Sequence, residues 1–159
     1  MLEDEIKILE NKIKLLNETI NEFKKNNSID ELMLKEQLND FLGQLAVCLK
    51  YTIVPKKYSK LISAFKYANN IKKHSLSLFD YTISTLGLYA SDNLYPSDNL
   101  FPSSFKIWWG KLPLDDKKYA NQYNCYNKYL LNKDLLESIN DIFDLIKIIV
   151  VNVKNKFLR

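Results

Sequence analysis

Hydrophobic residues recur through the first stretch of the chain with a heptad period. Ile6, Ile13 and Ile20 take one core position and Leu2, Leu9, Leu16 and Phe23 the other, so residues 1–27 read as an N-terminal heptad helix. Isoleucine at a with leucine at d fits a parallel two-stranded coiled coil. Against that pairing, Glu5 at g would face Glu10 at e of an in-register partner. Ile8 and Leu15 also widen the apolar stripe toward the broader face of a bundle helix. A helix packed within its own chain is the preferred reading, and a dimer-forming arm the alternative.

Asn26, Asn27 and Ser28 interrupt this pattern, and Ser28-Ile29-Asp30-Glu31 has the form of a capping box that opens a second helix. Its apolar positions Leu38, Phe41, Leu42, Leu45 and Leu49 recur at three and four, until Pro55 disfavours a helical residue before it. A third helix is expected from about Lys56 to about Leu78, with Leu61, Ile62, Phe65 and Ala68 on its inner face. After Pro113, Tyr119, Tyr123, Tyr126 and Leu130 form a stripe at helical spacing, read as a packed face in preference to a base-stacking platform. Beyond a break at Asn132, a long last helix carries Leu135, Ile139, Ile142, Ile146, Ile149 and Val153 on one side.

The region between the third and fourth helices differs in kind. Ile83–Tyr89 and Ser104–Trp109 are short and rich in aromatic and β-branched residues, and predict the strands of a hairpin. Between them, Ser91–Pro96 is repeated almost unchanged as Ser97–Pro102. Two units cannot make a solenoid, so the duplication reads as a loop extension, with Tyr95 and Phe101 as partner-binding knobs in the alternative. The expected architecture is mainly α: a bundle of about five helices with a small inserted β-hairpin. It forms one compact domain in which the heptad helix 1–27 leads into a bundle over 28–159, with the insertion at 81–112.

Composition narrows the function classes. The chain has 159 residues, 47% hydrophobic and 26% charged, with three glycines and four prolines, which suits a single helical domain. Cys48 and Cys125 fit no metal-ligand spacing with the single His74, so neither a metal nor another cofactor is expected. The run Ile142–Val153 contains Asp144 and Lys147 and is too short to span a bilayer, and acidic residues lead the chain where a signal segment would be basic. The expectation is a cytoplasmic protein with reduced thiols and no membrane partner.

The net charge of +4 is unevenly placed. Residues 1–40 hold ten acids against six lysines, whereas residues 41–79 hold no acid and seven lysines: Lys50, Lys56, Lys57, Lys60, Lys66, Lys72 and Lys73. Such a block suits an anionic partner such as nucleic acid, and equally a solvated helix face.

Within that block lies Tyr67-Ala68-Asn69-Asn70-Ile71-Lys72-Lys73-His74, with Asn70 and His74 four apart and therefore on one helix face. This segment resembles the R-N-x-x-x-H signature of the HEPN superfamily, helical domains of prokaryotic defence and toxin–antitoxin systems. Asn70 matches the motif's asparagine and His74 its histidine. The resemblance implies a metal-independent endoribonuclease or an inactive relative of one, acting in stress or phage defence. It also implies a homodimer whose two motifs meet at the interface.

On that reading Asn70 and His74 are the catalytic candidates, and Lys66, Asn69, Lys72 and Lys73 the RNA-binding ones. Histidine suits acid–base work on a ribose hydroxyl. The motif's arginine position, however, is Asn69 here, and an amide carries no full positive charge for the phosphate. His74 reads alternatively as a helix-terminal residue interacting with free carbonyls. The rival function is a non-catalytic protein–protein interaction module, antitoxin-like or adaptor-like, that holds a protein partner through the heptads and the aromatic insertion.

Overall fold

A computed structural model describes residues 2–72, 77–83 and 105–157, the stretch 152–157 by backbone alone. Among these residues lie five α-helices: α1 Leu2–Asn26, α2 Glu31–Lys50, α3 Ser59–Ile71, α4 Ala120–Tyr129 and α5 Leu135–Phe157. Two short strands, β1 Phe79–Thr82 and β2 Lys106–Trp109, pair antiparallel, with Phe79 opposite Trp109 and Thr82 opposite Lys106. The expected fold class, a mainly helical bundle with a small antiparallel β insertion, is the one observed. None of the helices among the described residues is long and apolar enough to cross a membrane.

The heptads of α1 are satisfied within the chain. Leu9, Ile13, Leu16, Ile20 and Phe23 are buried against α2 and α5. The Glu5 backbone carbonyl accepts from Gln44 Nε2 at 2.9 Å and from the Cys48 thiol at 3.4 Å, tying α1 to α2. Ile8 and Leu15, in contrast, stay 43% and 48% exposed.

The junction between α1 and α2 differs from the expected capping box. Asn27 takes a left-handed φ of 52°, the Ser28 N–H returns to the Phe23 carbonyl at 3.1 Å, and the Asn27 N–H reaches the Lys24 carbonyl at 3.3 Å. This is a Schellman ending of α1 that engages Ser28 as the residue beyond the turn. Asp30, not Ser28, caps α2, its carboxylate accepting from the Met33 N–H at 3.1 Å.

The third helix is shorter than the expected Lys56–Leu78. Lys56–Tyr58 form a 3₁₀ turn, α3 covers Ser59–Ile71, and Leu78 has already left the helix. Leu78 instead gives its carbonyl to the Gly110 N–H at 2.9 Å, just past the end of β2. The strand that pairs with β2 among the described residues is Phe79–Thr82; of the expected strand Ile83–Tyr89 only Ile83 is described. Residues 84–89, the duplicated Ser91–Pro102 segment and Ser104 lie outside the described residues.

The sheet is locked to the turn between α4 and α5. Asn132, at φ 65°, donates its N–H to the Trp109 carbonyl at 2.9 Å, and the Trp109 N–H reaches the Lys133 carbonyl at 3.0 Å. Asp134 then caps α5 by accepting from the Glu137 N–H at 2.9 Å. Trp109 is fully buried, edge-on to Phe65 and Tyr126 with ring centroids 5.7 and 6.4 Å away. The tyrosine stripe of α4 is a packed face: Tyr126 is buried, and Tyr123 and Tyr126 both pack on Tyr67 of α3.

Candidate functional site

Helix α3 is gripped on two sides, by α2 and by α4. Its inner residues Ile62, Phe65, Ala68 and Ile71 are buried, as the period of its sequence demands. Tyr67 is also fully buried, its phenol donating to the Pro113 carbonyl and accepting from the Asp115 N–H at 3.4 Å. Burial pushes the Tyr67 phenol above its ordinary range, the nearby Asp115 and Tyr123 adding to the rise while the bond from the Asp115 N–H opposes it.

The adjacent asparagines of the motif part company, because one helical step turns the second side chain about 100° from the first. Asn70 turns toward α4, where its Nδ2 donates to Gln122 Oε1 at 3.0 Å. Asn69 turns toward α2 and lines a cleft of about 220 Å³ together with Leu42, Leu45, Ala46, Leu49, Lys50, Phe65 and Lys66. Its Oδ1 atom is buried and meets no hydrogen-bond donor among the described residues.

The lysines fall into two groups. Lys50, Lys56, Lys57, Lys60 and Lys66 are exposed, and the first and last of these flank the cleft. Lys72 is half-buried and lies across the seam between α3 and α2, where its ammonium donates to the Asn39 carbonyl at 3.1 Å. It passes so close to the α2 backbone that a Cβ at Gly43 would lie 3.2 Å from its Nζ. Lys73 and His74 lie outside the described residues.

The structure thus brings Lys66 and Asn69 together at one cleft, sends Asn70 to α4, and ties Lys72 to the backbone of α2. Sequence reasoning did not single out Lys50 as a site residue, although it belongs to the acid-free block. Gln122 carried no signal at all, since its link to Asn70 spans 52 residues of chain. Among the described residues, no cluster of three or more His, Cys, Asp or Glu side chains could hold a metal ion.

A second cleft, of about 550 Å³, runs along the α1–α2 junction and is lined by Leu15, Phe23, Ile29 and Met33 beside Glu18, Glu22 and Asp30. Its charged lining is acidic, whereas that of the α2–α3 cleft is the basic pair Lys50 and Lys66. The chain matches no protein-family model, no curated protein and no solved structure.

Proposed function

We propose that this chain is a HEPN-like domain that engages single-stranded RNA through the lysine-bearing side of α2 and α3. The observation that carries the reading is the set of exposed lysines, Lys50, Lys56, Lys57, Lys60 and Lys66, within a stretch of 39 residues (41–79) free of acids. Cations so concentrated along the chain attract a phosphate backbone. The defence or toxin–antitoxin setting implied by the motif belongs to the same proposal. Binding without cleavage is the expected activity, because Asn69 stands where the family carries its arginine and brings no charge to a phosphate.

The test is single-stranded RNA binding and cleavage in EDTA across a salt series. Affinity should fall with salt, and Lys50→Ala/Lys66→Ala should reduce the logarithmic slope by about 0.7 for each phosphate that is no longer neutralised. His74→Ala should leave binding in place. Salt-insensitive or absent binding removes the reading, and cleavage that disappears in His74→Ala makes the protein a nuclease after all.

A second reading rests on the acidic, partly apolar side formed by α1 and α2. Exposed Ile8, Leu15 and Met33 beside Glu18, Glu22 and Asp30 suit a protein partner, a second copy of the chain included. Light scattering over a dilution series separates these cases. A dimer that disappears in Ile8→Lys/Leu15→Lys supports self-association, and a concentration-independent monomer removes the homodimer.

A further inference from the structure

Between α2 and the 3₁₀ turn at Lys56–Tyr58 the chain runs Tyr51-Thr52-Ile53-Val54-Pro55, with exposed lysines at both ends, Lys50 before it and Lys56 and Lys57 after it. Thr52 and Val54 are half-buried, and Val54 packs against the core. Tyr51 and Ile53, in contrast, are 59% and 79% exposed. An aromatic ring and a large aliphatic side chain thus stand in solvent between cations.

The backbone that carries them is fixed. The Tyr51 and Thr52 N–H groups donate to the Cys48 and Leu49 carbonyls at 3.2 and 3.4 Å, and the Thr52 hydroxyl donates to the Cys48 carbonyl at 2.7 Å. At the far end the Tyr58 N–H reaches the Pro55 carbonyl at 3.0 Å. A ring on such a support has only its two side-chain torsions to settle when it binds, so the entropic cost is small. The nearby Tyr58 is otherwise engaged, with the Lys57 ammonium 4.9 Å from its ring centroid. The Tyr51 ring meets no other ring and no cation among the described residues.

A free aromatic face between cations suits an anionic strand that carries flat groups. Every base has a π-face to lay on the ring, and the phosphates on either side reach the ammonium groups. A membrane surface is anionic too, but two side chains bury less apolar surface than one myristoyl chain, which alone anchors a protein only marginally. We propose that Tyr51 is a stacking platform for one base of a bound RNA strand, with Ile53 extending the apolar surface beside it and Lys50, Lys56 and Lys57 holding the adjoining phosphates. This rests on the RNA reading above and adds to it a contact with a base. Phosphate contacts position a strand, whereas the ring distinguishes a strand with bases from one without.

The experiment compares a short oligoadenylate with an abasic ribose-phosphate strand of the same length, by fluorescence anisotropy at fixed salt. Wild type should bind the base-bearing strand about tenfold more tightly, the order expected for stacking one base. Tyr51→Ala should bring oligoadenylate down to the abasic level with the salt slope unchanged, since no charge is altered. Tyr51→Phe, which keeps the ring, should retain the preference. In Tyr51→Trp the added indole emission should be quenched by oligoadenylate and not by the abasic strand. Equal affinity of wild type for both strands overturns the platform and leaves the RNA reading standing, whatever the fate of the variants. A base preference that survives in Tyr51→Ala, or is lost in Tyr51→Phe, overturns the platform too. Cosedimentation with phosphatidylserine vesicles that is lost in Tyr51→Ala/Ile53→Ser assigns the pair to a membrane surface and overturns it likewise. Failure to bind either strand overturns the RNA reading, and the platform with it.

Discussion

The side-chain amide of Asn70 donates to the side-chain oxygen of Gln122 at 3.0 Å, joining α3 to α4 across a partly buried seam. The motif asparagine is thus held by a structural partner. Asn70→Ala and Gln122→Ala should each lower stability by about 1 kcal/mol, as expected for one net hydrogen bond. The double variant should lose less than the sum, because the second substitution removes a bond that is already broken. Denaturant melts of the four proteins measure this coupling. Strict additivity, together with an absence of RNA binding in Asn70→Ala, would return Asn70 to the functional surface.

The two helix-seam and strand-end glycines should respond oppositely to alanine. At Gly43, inside α2, the new methyl would meet only the tip of the flexible Lys72 side chain, at 3.2 Å. Alanine gains about 1 kcal/mol over glycine inside a helix, so Gly43→Ala should raise Tm. At Gly110 the methyl would stand 3.1 Å from Asp80 Oδ2 and 3.4 Å from the backbone of Phe79, where the strand pairing holds the neighbours in place. Gly110→Ala should lower Tm. Thermal melts check the order, and its reversal would show that Lys72 is the less yielding neighbour.

Tyr126 is fully buried and its phenol donates to the Gly110 carbonyl. Burial raises its pKa above the ordinary 10.0, with the charges of Asp80 and Tyr67 adding to the rise. The folded phenol holds its proton where the unfolded one loses it. Its contribution to stability is therefore fully present below pH 10 and is lost as the pH climbs beyond that value. Tyr126→Phe should cost about 1–3 kcal/mol at neutral pH, because the buried carbonyl loses its partner. The same variant should show a shallower fall in Tm above pH 10, and an unchanged alkaline slope would assign that loss to other groups.

The two free thiols should differ sharply in reactivity. Cys48 is buried, and burial, followed by the charge of Glu5, pushes its thiol from 9.0 to about 11, against a smaller lowering by the hydrogen bond with Gln44. Cys125 is only half-buried. At pH 8, a thiol reagent should modify Cys125 first and Cys48 at the rate of opening of the α1–α2 hairpin. Peptide mapping of partly modified protein identifies which reacts, and early modification of Cys48 would mean that the hairpin opens readily. The same shift predicts that the Cys48 contribution is present below pH 9 and declines as the pH rises toward 11.

The sequence by itself determined which segments are helical and which of their faces are apolar. In α1, α2 and α5 the residues that must be dry recur at helical spacing, and burial in a bundle follows that local period whichever neighbour supplies it. It also marked Lys66 and Asn69, because the charge run and the motif are contiguous in the chain. What tertiary structure decided is everything that needs a second segment. Asp30 caps α2 through its carboxylate, while the Ser28 N–H closes the end of α1 across the left-handed turn at Asn27. The first strand settled at Phe79–Thr82 because Lys106–Trp109 and the Leu78–Gly110 bond fix its register. Asn69 and Asn70 are neighbours of one residue type, yet one opens on a cleft and the other is tied to Gln122. A helical step separates their directions, but only the positions of α2 and α4 determine what each direction meets.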